Sequence, residues 1–115
     1  MSARRNLSLP VHGAIELAIG LAAMAAPAIF GFGPAGFVIS FSLGAILVGT
    51  SLNLTAGRGP ILAWHRDFDS LFVLGAAAAA LVLAIAGDAP AGFFIAALVA
   101  AQAALHLATR YTTAA

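Results

Sequence analysis

The chain has 115 residues, of which 63% are hydrophobic and 8% charged, whereas about a quarter of an ordinary soluble domain is charged. One core of this size cannot hide that much apolar surface, so lipid has to cover the remainder. A net charge of +1 resting on five scattered arginines excludes a nucleic-acid surface. The lack of cysteine excludes disulfides, thiolate metal sites and cysteine nucleophiles.

About 20 mostly apolar residues in a helix cross the hydrocarbon core of a bilayer. Four segments meet that requirement: Val11 to Phe32, Phe37 to Leu54, Phe68 to Ala86 and Ala91 to Ala108. The first is preceded by Arg4-Arg5 and contains Ala23-Met24-Ala25, a pattern that mimics a cleaved export signal. His12 and Glu16 sit poorly in the apolar core of such a signal, which favours a retained span. The segments are separated by Gly33-Pro34-Ala35-Gly36, Gly57-Arg58-Gly59-Pro60 and Gly87-Asp88-Ala89-Pro90, where Gly and Pro end one helix and begin the next. Turns this short make neighbouring helices antiparallel. Barrel strands would show runs of about ten residues of alternating polarity, so the expected fold is an all-α transmembrane four-helix bundle in one integral membrane domain.

Threading four spans places Arg4, Arg5, Arg58, Arg66 and Arg110 on one side. The positive-inside rule then puts both termini in the cytoplasm, with the protein a multi-pass component of a bacterial inner membrane.

An internal repeat runs from about 11 to 56 and again from about 64 to 110. His12 with Glu16 recurs as His65 with Asp69, and Pro34-Ala35-Gly36-Phe37 recurs as Pro90-Ala91-Gly92-Phe93. Each unit holds two spans, so both copies enter the membrane from the same side as parallel repeats. Two tandem hairpins, each opening with a histidine and an acid four positions on, followed by Gly20, Ala26-Pro27 and Phe30-Gly31-Phe32, resemble the SPW-repeat family of small bacterial and archaeal membrane proteins. The family's Ser-Pro-Trp reads Ala26-Pro27-Ala28 here, and the corresponding stretch near Ala79-Ala80-Leu81 lacks the proline. The resemblance covers the whole chain and implies a fold, with no reaction, substrate or cofactor attached.

Charged side chains at mid-membrane cost about 2.5 to 3.5 kcal/mol on insertion scales, so the position of each polar residue is informative. His12, Asn53, His65 and His106 fall near the terminal end of helices one to four, and one turn deeper come Glu16, Thr50, Asp69 and Gln102. Residues three or four apart share a helix face. In helix one this stripe continues through Gly13 and Gly20, and in helix two through Gly49 and Ser42, small residues that let membrane helices approach closely. The eight polar residues are therefore expected to face the bundle interior as one cluster.

The expected function is non-enzymatic and cofactor-free: a small membrane scaffold or accessory subunit whose polar cluster fixes helix register. Its partners are the lipid bilayer and either copies of itself or a larger complex. Two alternatives use the same residues. His12, His65 and His106 are a ligand set for a metal or haem, and Glu16 with Asp69 are carboxylates suited to a small proton-coupled transporter. Phosphate-binding glycine loops, dinucleotide fingerprints and nucleophile elbows are absent from the sequence. Trp64 and Tyr111 read as interfacial anchors.

Overall fold

The computed structural model describes residues 7–54 and 59–111, and side chains in the third helix from Trp64 onward. The chain forms four α-helices: α1 (Leu9–Phe30), α2 (Pro34–Leu54), α3 (Gly59–Ile85) and α4 (Ala89–Ala108). Arg4, Arg5, Arg58 and part of the expected turn at 57–60 lie outside the described residues.

Local chemistry sets the helix ends. Pro10 and Pro90 occupy first-turn positions, where a missing N–H removes no intrahelical bond. Gly31 closes α1 in the left-handed region at φ 67°, a conformation that a Cβ disfavours. Asp88 caps α4 by accepting from the Ala91 N–H at 3.3 Å. Helix α3 starts nine residues before the expected Phe68. The charged run His65-Arg66-Asp67 argues against an apolar span, yet Arg66 and Asp67 are exposed on the outside of a helix that continues past that span.

Pro27 lies inside α1. Its missing N–H leaves the Ala23 carbonyl, four residues back, without its helical donor. Ser40 of α2 supplies the replacement, its hydroxyl donating to Ala23 O at 2.7 Å. An irregular backbone group within a membrane-spanning helix is thereby satisfied by a neighbouring helix.

Each hairpin closes over small residues. A Cβ placed on Gly44 would lie 2.5 Å from the Gly20 carbonyl oxygen, and one on Gly20 would lie 2.8 Å from the Gly44 oxygen. The α1 and α2 backbones are therefore in direct contact. In the second hairpin Gly92 packs on the backbone of Ala80 and Ala84. Leu47, Leu83, Ile95, Leu98 and Phe72 fill the space between the hairpins.

All four helices are long and apolar enough to span a bilayer, yet only 28–33% of each span is buried within the chain. Large apolar side chains such as Leu74, Ile85 and Phe93 face outward. This inside-out distribution is that of an all-α membrane bundle in which lipid covers the outer faces.

Helix α2 turns a different face inward from the expected one. Ser40, Gly44, Leu47, Thr50, Ser51 and Leu54 are buried, while Ser42, Gly49 and Asn53 are exposed. A Cβ placed on Gly49 or on Gly75 would meet no described atom within 4 Å, so neither glycine mediates a close helix contact among the described residues.

Candidate metal centre at the terminal end

Near the end of the bundle that carries both termini, α1 contributes His12 and Glu16 and α3 contributes His65 and Asp69. Each pair is spaced i, i+4, which places both members on one face. All four are buried, with exposures of 0%, 0%, 1% and 0%.

The contacts form a closed ring. His12 Nε2 lies 3.2 Å from Glu16 Oε2 and 3.2 Å from Asp69 Oδ2. His65 Nε2 lies 3.3 Å from Glu16 Oε1 and 3.4 Å from Asp69 Oδ2. Every imidazole thus faces both carboxylates and every carboxylate faces both imidazoles. One ligand atom from each of the four residues falls within 4.8 Å of all the others. Among the described residues no Cα of α1 comes within 8 Å of a Cα of α3, so these side chains bridge a diagonal that the backbones leave open.

An outer shell of hydrogen bonds orients the ring. Gln102 Nε2 donates to Glu16 Oε2 at 2.8 Å, and the Thr50 hydroxyl lies 3.2 Å from Glu16 Oε1 and 3.1 Å from the Leu47 carbonyl. The Tyr111 hydroxyl donates to Asp69 Oδ2 at 2.6 Å. Thr109 Oγ1 donates to the Leu105 carbonyl and stands 2.7 Å from His12 Nδ1. The single Thr109 proton is committed to Leu105, so its oxygen accepts from His12 and the proton of Nδ1 is fixed on that side. Three buried polar atoms make no hydrogen bond among the described residues: His65 Nε2, Asp69 Oδ1 and Gln102 Oε1.

The segment after α4 closes this end. Leu7 N–H donates to Ala108 O, and Arg110 N–H donates to Leu7 O, each at 3.0 Å. This pairing lays Thr109 and Tyr111 across the ring, with the Tyr111 ring edge-on to His12 at 5.4 Å. Nothing in the sequence marks either residue for this place. A hydroxyl beyond the end of an apolar helix carries no periodic signal, and its role depends on the chain folding back.

The eight residues expected to cluster separate into groups. Six of them, His12, Glu16, His65, Asp69, Thr50 and Gln102, form the ring and its shell. His106 lies outside it. The His106 Nδ1 donates to the Tyr111 oxygen at 2.9 Å, the tyrosine proton being engaged with Asp69, and its Nε2 faces Ser70 Oγ at 3.1 Å. Asn53 is exposed on α2 and takes no part. The imidazoles at the centre are thus two, joined by two carboxylates. With their ring centroids 5.4 Å apart and edge-on, they leave no room for a porphyrin. Neither protein-family models nor curated proteins nor solved structures give a match to this chain.

The opposite end has a single polar clasp among the described residues. Asp88, in the α3–α4 turn, accepts from the Gly33 N–H of the α1–α2 turn at 2.8 Å. A Cβ on Gly36 would lie 2.5 Å from the same carboxylate. Phe30, Phe32 and Phe94 pack beside it with centroids 5.8–6.5 Å apart.

Proposed function

We propose that this chain is a non-enzymatic membrane module, a scaffold or accessory subunit, in which the buried ring locks two helical hairpins into one rigid unit. The observation that carries this reading is the position of the ring. It spans the α1–α3 diagonal, where the helix backbones do not meet, and its burial leaves space for nothing larger than an ion. A partly satisfied polar cluster in an apolar bundle excludes wrong registers, because any slip would strand charges in lipid. The outward apolar faces are then free for lipid and for a larger membrane assembly or further copies of the chain. Exposed Arg66 and Arg110 at the terminal end support a cytoplasmic orientation for that end in a bacterial inner membrane. The resemblance to the SPW-repeat proteins supports the same two-hairpin plan.

Purified protein in proteoliposomes tests the proposal. Glu16→Gln is expected to lower the Tm while leaving proton and solute flux at the level of protein-free vesicles for both wild type and variant. Flux through the wild type that Glu16→Gln abolishes would make the chain a transporter and overturn this reading.

A further inference from the structure

We propose that the ring binds one divalent transition-metal ion of the zinc class, held by Nε2 of His12 and His65 and by the carboxylates of Glu16 and Asp69. This deepens the preceding reading, and rests on it, by naming the ion that closes the joint between hairpins.

Three features of the ring converge on a metal. The first is its size. Zinc bonds to imidazole and carboxylate at about 2.0 to 2.2 Å and takes four such ligands, which in a tetrahedron separates the ligand atoms by about 3.3 to 3.4 Å. The four nitrogen-to-oxygen separations, counting both oxygens of Glu16, are 3.2, 3.2, 3.3 and 3.4 Å, and one ligand atom from each residue lies within 4.8 Å of the others, so the ring has the size of a single ion's ligand shell and needs its longest edge drawn in on binding. Two nitrogens and two carboxylates also favour zinc, iron or cobalt over magnesium or calcium, which take oxygen.

The second feature is the direction of the hydrogen bonds. Thr109 fixes a proton on His12 Nδ1, so a neutral His12 aims its Nε2 lone pair into the ring. A metal-bound histidine characteristically donates its other ring N–H to an acceptor while its carboxylate co-ligands accept hydrogen bonds from outside, as Glu16 does from Gln102 and Asp69 from Tyr111. The polar shell thus leaves the Nε2 of His12 and both carboxylates turned toward one centre.

The third feature is what protons cannot do here. Two buried carboxylates need two positive charges, and two imidazolium rings would supply them. The His12 Nε2–H can serve Glu16 Oε2 at 3.2 Å but then has no proton for Asp69, and a hydrogen bond weakens steeply away from linearity. The His65 Nε2 is within 3.4 Å of both carboxylates and makes a well-directed bond to neither. One cation at the centre satisfies all four groups at once.

The test uses the full chain in detergent, stripped with a chelator, then supplied with Zn²⁺ or with Co²⁺ as a spectroscopic probe. The expected result is about one ion per chain after desalting, an intense visible Co²⁺ band of tetrahedral type, and a Tm raised by several degrees. His65→Ala is expected to lose the ion. Because that variant risks misfolding, Tyr111→Phe provides a milder probe: it removes the hydroxyl that donates to Asp69 and accepts from His106, keeps the ring, and is expected to stay folded and bind roughly ten-fold more weakly. Folded wild type that takes up neither ion, with an unchanged Tm, overturns the metal site, as does a weak octahedral Co²⁺ band or uptake undiminished in both variants. In any of these cases a lowered Tm for metal-free His65→Ala relative to metal-free wild type would leave the hairpin joint standing. Tetrahedral binding with no such change in Tm would sink the joint and keep the metal.

Discussion

Contacts within a hairpin and contacts between hairpins are built on opposite principles. Inside the first hairpin, α1 and α2 meet because side chains are missing, with Gly20 and Gly44 letting carbonyls touch the facing backbone. Between hairpins, beside a shared apolar core and the close pass of Gly36 by Ala91, the two ends are joined by side chains that reach. Long polar side chains reach across a gap at the terminal end, and Asp88 reaches across the turns at the other. Added atoms should therefore break a hairpin from within, while removed atoms should separate one hairpin from the other.

The largest effect is expected from Gly44→Leu. Its branched side chain has no place beside the Gly20 carbonyl and Met24 backbone, and the cost should exceed the roughly 1 to 3 kcal/mol usual for overpacking. Size-exclusion chromatography in detergent should show loss of the monodisperse species. His65→Ala comes next, at about 3 to 5 kcal/mol in reversible unfolding, because it leaves two buried carboxylates facing one imidazole. Asp88→Ala removes the acceptor for the Gly33 and Ala91 N–H groups and should cost about 1 to 2 kcal/mol. Asn53→Ala, on the exposed face of α2, should stay within about 0.5 kcal/mol of wild type. An Asn53 effect as large as that of Asp88 would break the distinction between joined and open faces.

The ring was legible in the sequence, and its shell only in part. His12 with Glu16 and His65 with Asp69 announce themselves because helical spacing and the internal repeat mark the same pairs. Thr50 and Asn53 show the limit of that method. They lie three residues apart on a helix that is apolar all round, so no contrast between faces tells which turns inward. The chain resolves the choice through Gly44 and Ser40, whose contacts with Gly20 and the Ala23 carbonyl set the rotation of α2. The Pro27 position in α1 holds the clue to Ser40, since a carbonyl freed by proline needs a donor. Tyr111 and Thr109 lie beyond the last span, and only the fold-back paired with Leu7 brings them over the ring. Asp88 is likewise silent in sequence. Its counterpart in the first repeat is Phe32, so the two hairpins match at the polar end and differ at the turns.

Four side chains from two helices whose backbones do not meet act as one unit, and a double-mutant cycle on unfolding free energy with Glu16→Gln and Asp69→Asn tests this most directly. The second substitution is expected to cost far less than the first, with a coupling of about 2 kcal/mol or more, near the upper part of the range for residues in one network. Costs that add to within about 0.5 kcal/mol, as for independent sites, would contradict it.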